Sequence, residues 1–306
     1  DRNLLDKIDY ERGAITLDGK EYEMLDINFP TIDPKHPYAL SKDEEEIMSR
    51  LESAFLNCEK LQDHMRFLLN KGGLYKVYNG NLLYHGCVPL KEDGTLKSVR
   101  LYGRSYKGKS LYEVLESYVR KGFYALNKKE KERGKDMMWY IWLSENSPLF
   151  GKDKMATFER YFLAEKETHK EKKNPYYNLL ENEKVINMIL KEFGLTEESA
   201  HIINGHVPVK AITGESPIKC NGKVLVIDGG FSRAYQKQTG IAGYTLIYNS
   251  YGLILAAHEP FESTEAAIEK ESDIHSDSVV VKRVLERKLV GDTDIGQELK
   301  EQIEDL

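Results

Sequence analysis

The sequence predicts a mixed α/β fold in which short, buried strands are flanked by helices. Two apolar runs, Ala200 to Ile203 and Val224 to Ile227, end abruptly in polar residues and glycine, which is typical of buried strands. By contrast, the stretch from Ser41 to about Leu69 repeats its apolar residues at helical spacing. The 306 residues are enough for one large domain or two ordinary ones.

The composition is that of a soluble globular protein, with 41% hydrophobic and 31% charged residues. A net charge of −6 provides no general attraction to nucleic acid or to an anionic membrane. All hydrophobic runs are far shorter than a membrane span requires. Three scattered cysteines, Cys58, Cys87 and Cys220, indicate reduced thiols rather than a disulfide framework. We therefore expect a cytoplasmic protein without nucleic-acid or membrane partners.

Residues 1–73 are predicted to form a connector followed by a long helix. Asp18-Gly19 favours a hairpin, and three prolines between residues 30 and 37 favour an extended segment. Ser41 and Glu44 form a capping-box signature that begins one long helix, with Cys58 on its apolar stripe. Two glycines, at positions 72 and 73, end that helix.

The segment that follows begins with a second hairpin. Strands at Leu74–Tyr78 and Leu82–Tyr84 are joined by Asn79-Gly80, a dipeptide that is typical of hairpin turns. The second strand leads directly into His85-Gly86, and a proline follows soon after. The first strand-end histidine is therefore predicted to lie at the end of this hairpin.

Residues 110–195 are predicted to be a helical insertion. Ser110 and Glu113 form another capping-box signature. Trp139 and Trp142 lie in an apolar stretch, and we expect their side chains to pack in the core. A further helix is expected over residues 177–193, because a glycine follows it at position 194.

A second strand-end histidine follows the run Ala200 to Ile203, in the sequence Asn204-Gly205-His206. Gly205 has no side chain, so we expect backbone or a ligand to approach closely there. Two histidines in similar turns, His85 and His206, predict one shared metal centre, because neutral imidazole is the commonest protein ligand for transition metals. The alternative for either histidine taken alone is a structural role, which we also expect for His201.

Five cations are candidates for binding phosphate. Lys152, Lys154 and Arg160 lie near a turn that glycine permits, and lysine and arginine are both suited to holding phosphate. The alternative is that Lys154 and Arg160 only face solvent or pair with Asp153 and Glu159. A polar loop after the second strand contains Arg233 and Lys237 and is another candidate for the substrate side.

Four sequence runs resemble one known family. They are Tyr84-His85-Gly86-Cys87, Ser147-Pro148-Leu149-Phe150-Gly151-Lys152-Asp153-Lys154, Gly205-His206-Val207-Pro208-Val209-Lys210 and Asp228-Gly229-Gly230-Phe231-Ser232. In these runs, and over nearly its whole length, the chain resembles the class III fructose-1,6-bisphosphatases, which are calcineurin-like metallophosphoesterases. The resemblance implies an α/β (α+β) fold, namely the C-terminal half of that family's β-sandwich, flanked by helices and carrying a helical insertion.

The same resemblance implies a substrate and a mechanism. Fructose 1,6-bisphosphate would be hydrolysed to fructose 6-phosphate and phosphate, in gluconeogenesis, with the help of two Mn²⁺ ions. His85 and His206 would bind the second metal, together with ligands from the other half of the enzyme. Asp228 would orient one of the imidazoles, or else fix the glycine turn that follows it.

Three metal motifs of the family, Asp-x-His, Gly-Asp-x-x-Asp-Arg-Gly and Gly-Asn-His-Asp, do not occur in the sequence. We therefore expect a C-terminal half that binds metal weakly and has no phosphatase activity by itself. Its partner would be the N-terminal half of the same enzyme. The alternatives are a regulatory or homo-oligomerisation module of that enzyme, or a phosphatase for another sugar phosphate on the same fold.

The predicted organisation has four parts. The connector and long helix occupy residues 1–73, and a C-terminal tail occupies residues 263–306. The part of the sheet that carries the metal-site histidines occupies residues 74–109 and 196–262. The helical insertion at 110–195 is predicted to lie on the substrate side.

Overall fold

The computed structural model describes residues 3–229, 231–261, 263–271, 276–284 and 286–306. Its strands, in chain order, are β1 (Ile8–Asp9), β2 (Ala14–Leu17), β3 (Lys20–Glu23), β4 (Tyr75–Tyr78), β5 (Asn81–Tyr84), β6 (Val99–Leu101), β7 (Arg104–Tyr106), β8 (His201–Asn204), β9 (Ile218–Lys219), β10 (Val224–Val226), β11 (Gly243–Asn249), β12 (Gly252–His258) and β13 (Ser276–Arg283). Its α-helices are α1 (Lys42–Leu56), α2 (Glu59–Lys71), α3 (Gly108–Tyr124), α4 (Lys128–Leu143), α5 (Thr157–Phe162), α6 (Glu183–Glu192), α7 (Arg233–Thr239), α8 (Thr264–Glu269) and α9 (Asp294–Glu304). Gly230, in the predicted turn after Asp228, lies outside the described residues.

These elements form a mixed α/β structure, as predicted, and they divide into two compact units. The first unit comprises the described residues of Asp1–Gly73, Leu143–Glu145 and Lys152–Lys173. The second comprises those of Leu74–Trp142, Asn146–Gly151 and Asn174–Leu306. This division does not test the roles that the sequence assigned to four segments, so the four-part organisation stays a prediction.

A small sheet and an apolar cluster form the core of the first unit. The sheet is antiparallel in the order β1-β2-β3, and its second hairpin turns at Asp18-Gly19, as predicted. Met24 pairs with Leu163, which brings a distant part of the chain to this sheet. The buried side chains of the cluster are Leu4, Ile8, Ile15, Leu17, Met24 and Leu163.

The first unit contains two helices where the sequence predicted one. Ser41 and Glu44 do form the predicted capping box at the start of α1. However, α1 ends at Leu56, and Cys58 takes an extended backbone conformation before α2 begins. Asn57 precedes this break and is a weak helix former. Cys58 is exposed and is not part of a core. The sequence did not indicate this, because the apolar stripe continues across the short interruption between the two helices.

A five-stranded sheet organises the second unit, in the order β4-β5-β8-β10-β9. The three central strands, β5, β8 and β10, are parallel, whereas both outer strands pair antiparallel. Neighbouring residues on one strand enter different apolar clusters. Ile202 of β8 packs with residues of α6, and Ile203 packs with Leu253 of β12. Both faces of the sheet are therefore covered. Side chains on both faces of its central strands are then apolar, so the sequence of these strands is a continuous apolar run.

Two further sheets belong to the second unit. Strands β11, β12 and β13 form an antiparallel sheet, and β6 pairs with β7. The predicted hairpin at Asn79-Gly80 is confirmed by the pairing of β4 with β5. No helix in the described ranges is long and apolar enough to cross a membrane.

Two helix predictions in the second unit were wrong in their boundaries. Helix α3 begins at Gly108, and the hydroxyl of Ser110 accepts from the backbone N–H of Lys107, so Ser110 and Glu113 do not form a capping box. Residues 177–193 do not form one helix, since a short 3₁₀ turn is followed by α6. Asn182 starts α6 by accepting a hydrogen bond from the backbone N–H three residues on.

The two tryptophans do not pack in the core. Trp139 and Trp142 are 66% and 68% exposed, because α4 buries its opposite face through Met137 and Ile141. The stretch does bury one face of the helix, but the two tryptophan rings lie on another face.

Candidate metal site

Three polar segments leave the five-stranded sheet at the same edge. His85 follows β5 directly, Gly205-His206 follows β8, and Asp228 lies two residues beyond the end of β10. Because these three strands are parallel neighbours, their carboxyl ends meet at one edge. This edge is where ligands bind in many α/β sheets.

The two predicted metal-ligand histidines meet at this edge. Nε2 of His85 lies 2.9 Å from Nδ1 of His206, and the ring centroids are 4.8 Å apart. The residues are separated by 121 positions in the sequence. The structure therefore brings together two side chains whose proximity the sequence predicted only from the likeness of their turns.

A compact turn presents His206. Its backbone is left-handed, with φ of 66°, a conformation that histidine adopts more readily than most residues. The N–H of Gly205 donates to the carbonyl oxygen of His85 at 2.9 Å, and the N–H of Val207 donates to the carbonyl oxygen of Gly205 at 2.8 Å. These bonds tie the turn after β8 to the end of β5 and fix the relative positions of the two imidazoles.

A backbone carbonyl determines the tautomer of His206. Nε2 of its ring lies 2.8 Å from the carbonyl oxygen of Phe150, and a carbonyl can only accept. Nε2 therefore carries the proton in the neutral ring, which leaves a lone pair on Nδ1. Metal-binding histidines commonly donate their second ring N–H in this way.

Of the two glycines beside the histidines, Gly86 has the tighter backbone approach, whereas the approach of a ligand to Gly205 stays a prediction. A Cβ placed on Gly86 would lie 2.4 Å from the carbonyl oxygen of Pro148, which is closer than atoms can pack. At Gly205 the nearest atom to an added Cβ, the Cβ of Asp228, would be 3.5 Å away, an ordinary contact. Gly86 thus allows the Pro148–Phe150 segment to lie against the end of β5.

Asn204 joins the ends of β5 and β8. Its buried side chain donates from Nδ2 to the carbonyl oxygen of Gly86 at 3.0 Å. Its Oδ1 is buried without a hydrogen-bonding partner in the described part of the chain. The amide therefore fixes the backbone beside His85 and leaves one acceptor unused.

The electrostatic surroundings keep His85 neutral. Burial of its ring lowers the pKa of His85, the neighbouring His206 lowers it further, and Asp228 acts in the opposite direction. A neutral imidazole is the form that binds a metal. Asp228 is half-buried near this pair, so its predicted role of orienting an imidazole stays a prediction.

The donor set fits part of a metal site. Imidazole nitrogen is a common ligand of transition metals, and the two ring nitrogens, which lie 2.9 Å apart, are close enough to bind one ion. Within the described ranges, no group of three or more His, Cys, Asp and Glu side chains could hold a metal. The pair can therefore supply two ligands of a candidate metal site.

Three predicted phosphate-binding cations belong to the first unit, where carboxylates accompany them. Lys152 and Arg160 contact the same carboxylate, that of Glu171, at 2.7 and 2.9 Å. Lys154 lies 3.5 Å from the carboxylate of Glu159, which is fully buried. Lys154 thus pairs with Glu159, as the alternative expected. The sequence did not indicate Glu171, the partner of the other two cations.

The other two predicted cations lie on α7 in the second unit. Arg233 and Lys237 are four residues apart on this short helix and are both exposed. Side chains at this spacing share one helical face. The structure therefore replaces the predicted polar loop with a helix, and its two cations lie on the same side.

Sequence reasoning missed the partner that orients His206. The Phe150 carbonyl belongs to the Ser147–Lys154 run that was assigned to the substrate side. A backbone oxygen has no side-chain signature, so only the family resemblance of that run could have indicated its importance.

Comparison with known proteins identifies the family. A model described as "Firmicute fructose-1,6-bisphosphatase" matches residues 1–306. The chain is 57% identical over 309 residues to a protein of Alkaliphilus metalliredigens named fructose-1,6-bisphosphatase class 3, covering 100% of the chain and 46% of that relative. Proteins of the same name from Clostridium novyi and Clostridium tetani are 57% and 55% identical, and the chain covers 46% of each.

The chain therefore spans about half the length of the curated relatives it matches. No solved structure matches it. The family match extends over every residue of the sequence. The chain belongs to the Firmicute fructose-1,6-bisphosphatase family.

Proposed function

We propose that this chain is the part of a fructose-1,6-bisphosphatase that supplies two imidazole ligands to a catalytic metal. The single observation that carries the proposal is the 2.9 Å approach of His85 Nε2 to His206 Nδ1 at the carboxyl edge of a parallel sheet. Membership of the family supports the substrate, fructose 1,6-bisphosphate, which would yield fructose 6-phosphate and phosphate.

The chain's own residues would hold and orient the metal. His206 would bind through Nδ1, because its Nε2 carries a proton that it donates to the carbonyl oxygen of Phe150. His85 would bind through Nε2 and carry its proton on Nδ1 instead. When bound, two divalent cations such as Mn²⁺ supply an activated water molecule and balance the charge that develops on the phosphoryl oxygens. Asp228 would support the imidazole pair from the end of the neighbouring strand.

The phosphate that is not cleaved needs cations of its own. Arg233 and Lys237 lie on one exposed face of α7 and suit this role. Lys152, Lys154 and Arg160 would first have to exchange their carboxylate partners for phosphate. All five cations stay candidates for the uncleaved phosphate.

The remaining metal ligands would come from a part of the enzyme that the 306 residues do not include, since the relatives are about twice as long. We further propose the calcineurin-like fold for the whole enzyme, with the five-stranded sheet as part of its sandwich. A cytoplasmic location agrees with three cysteines that form no disulfide. Homo-oligomers are also proposed, on the apolar surface described next.

The exposed apolar faces of α1 and α2 favour a second candidate, a regulatory or oligomerisation module. Neither helix buries a residue, and Leu51, Phe55 and Phe67 are each about half exposed or more. Such surfaces usually mark an interface. In that case the imidazole pair would have no catalytic role, and the two proposals differ in their metal binding.

Titration with Mn²⁺, followed by the electron paramagnetic resonance of the free ion, tests the proposal. We expect weak, saturable binding to the chain and at least tenfold weaker binding to the double variant His85→Gln, His206→Gln. His64→Gln, at an exposed position of α2, is the matched control and should bind as the parent does. The chain with Mn²⁺ should not hydrolyse fructose 1,6-bisphosphate. Turnover by the chain alone, or binding that the double variant retains, would contradict the proposal.

A third candidate is a phosphatase for another sugar phosphate on the same fold. A panel of substrates, tested on an enzyme of the relatives' full length, distinguishes it. Comparison of fructose 1,6-bisphosphate with other sugar phosphates should give the highest kcat/KM for the bisphosphate. A preference for a monophosphate would favour another phosphatase on the same fold.

A further inference from the structure

A second cleft lies at the opposite edge of the five-stranded sheet. Its lining includes Asn81 and His201, the first residues of β5 and β8, whereas His85 and His206 follow the last residues of those strands. The cleft has a volume of about 350 Å³, which is within the range of small-molecule sites. It is therefore separate from the candidate metal site, and the proposed function does not use it.

Two lysines give the cleft a positive region. Lys282 of β13 and Lys288 both line it, and neither forms an ion pair with the described residues. Lys288 donates to the hydroxyl of Tyr248 at 3.4 Å. Burial lowers the pKa of Lys282, and the charge of Lys288 lowers it further, while the charges of Glu198 and Glu197 oppose this lowering. The two ammonium groups thus repel each other, and a bound anion would relieve that repulsion.

Glu197, Asp292 and Asp294 also line the cleft. Glu197 accepts from the hydroxyl of Ser199 at 3.3 Å, whereas backbone N–H groups occupy the two aspartates. Asp294 accepts the N–H of Asn79 at 2.8 Å, and Asp292 accepts the N–H of Leu289 at 2.9 Å. These carboxylates fix the start of α9 and the turn before it. None of the three acidic residues that line the cleft forms an ion pair with either lysine within the described part of the chain.

His201 provides an unused hydrogen-bond acceptor. It is only 7% exposed and lines the cleft. Its Nδ1 donates to the carbonyl oxygen of Gly222 at 2.8 Å, a residue outside the cleft lining. Its Nε2 is buried with no partner among the residues described. In the neutral ring this nitrogen is an acceptor, and an unpaired buried acceptor lowers stability.

We propose that this cleft binds a small molecule that carries both an oxyanion and a hydroxyl group. Lys282 and Lys288 would hold the oxyanion, and the hydroxyl would donate to Nε2 of His201. A bare anion would satisfy the lysines but not the histidine, and a neutral alcohol would do the reverse. The ligand class is therefore a hydroxylated phosphate or a hydroxylated carboxylate.

Calorimetric titration of the 306-residue chain, in the presence of a chelator to empty the metal site, tests the proposal with four probes. Glycerol 1-phosphate and glycerate carry both groups, whereas inorganic phosphate and glycerol carry one each. At least one of the first two should bind about tenfold more tightly than inorganic phosphate, and the stronger of them identifies the oxyanion. Equal binding of all four probes, or no saturation by either hydroxylated anion, would overturn the proposal.

Variants assign the contacts. Lys282→Gln and Lys288→Gln should each weaken binding of the stronger probe about tenfold, and Lys60→Gln, in the first unit, should leave it unchanged. His201→Asn keeps an N–H for Gly222 and lacks Nε2, so it should lose the preference for the hydroxylated probe. If His201→Asn does not fold, the ¹⁵N shift of His201 Nε2 in the parent chain decides. It should move with the hydroxylated probe but not with inorganic phosphate, and the opposite result rejects the histidine contact.

Discussion

The ring of His206 donates from Nε2 to the carbonyl oxygen of Phe150 across 2.8 Å. This one bond determines how the imidazole pair behaves. Because Nδ1 of His206 then has only a lone pair, the proton between the two rings must belong to Nε2 of His85. A metal that binds both nitrogens must displace that proton, and His85 must change tautomer while His206 does not.

Nuclear magnetic resonance of ¹⁵N-labelled histidine should therefore distinguish the two rings. We predict that both carry their proton on Nε2 in the metal-free chain. On addition of Zn²⁺, a diamagnetic substitute for Mn²⁺, the proton of His85 should move to Nδ1, while that of His206 should stay on Nε2. Exposed His64 is the internal reference and should not change. A proton on Nδ1 of metal-free His206 would rule out the assigned tautomer.

The contrast between Gly86 and Gly205 leads to a stability prediction. Gly86→Ala places a methyl group 2.4 Å from the Pro148 carbonyl oxygen, so the backbone must shift. We expect the free energy of unfolding to fall by about 1–3 kcal/mol, with weaker Mn²⁺ binding because His85 is displaced. Urea unfolding and Mn²⁺ titration measure the two effects.

Gly205→Ala is the matched control, one strand away. Its methyl group would make ordinary contacts with Asp228, and a less flexible unfolded chain favours the variant slightly. Its stability should therefore be within about 0.5 kcal/mol of the parent. A larger loss at Gly205 than at Gly86 would be incompatible with the described turns.

Local patterns in the sequence predicted most of the second unit's sheet. The apolar runs that became β8 and β10 are covered on both faces, so their composition marked them as buried strands. The Asn79-Gly80 turn marked the hairpin of β4 and β5. The strand-end histidines were predicted because both turns combine glycine, histidine and proline. Their meeting point depends on the parallel order of β5 and β8, which the local pattern did not indicate.

Features that depend on tertiary contacts could not be predicted in the same way. The exposure of Trp139 and Trp142 depends on which face of α4 meets its neighbours. The Phe150 carbonyl acts through its backbone, and Glu171 reaches Lys152 from nineteen residues away. None of these relationships has a periodicity or a local motif that a sequence displays.

Burial of His201 predicts a dependence of stability on pH. Burial holds the pKa of its ring below the ordinary value of about 6.5, against the opposing effect of the Gly222 carbonyl. The unfolded chain therefore binds a proton at a higher pH than the folded chain does. The free energy of unfolding should fall as the pH decreases from about 6.5 through the lower, folded pKa, and this group should have no effect above that window.

Urea unfolding at about pH 7.5 and about pH 5.5 measures this effect in the parent and in His201→Asn. The asparagine keeps a donor for Gly222 and does not titrate. The parent should lose more stability on acidification than the variant, by at most about 1.4 kcal/mol per pH unit, the limit for one proton. Equal losses would show that His201 is not held neutral.

The buried carboxylate of Glu159 distinguishes a structural from a phosphate-binding role for Lys154. Glu159 has no exposed surface, and the ammonium of Lys154 lies 3.5 Å from it. Lys154→Met should lower the free energy of unfolding by about 3 kcal/mol, because the buried carboxylate of Glu159 would lose the ammonium group of Lys154. Lys152→Met should cost less, since Glu171 keeps Arg160 and the N–H of Ala156 as partners.

The double variant Lys154→Met, Glu159→Leu separates this pairing from a loss of packing. Replacing both charges removes the desolvated carboxylate, so most of the stability should return. Urea unfolding of the two single variants and the double variant forms the complete cycle. If Lys154 instead serves phosphate, Lys154→Met would leave stability nearly unchanged, and the cycle would show no coupling with Glu159.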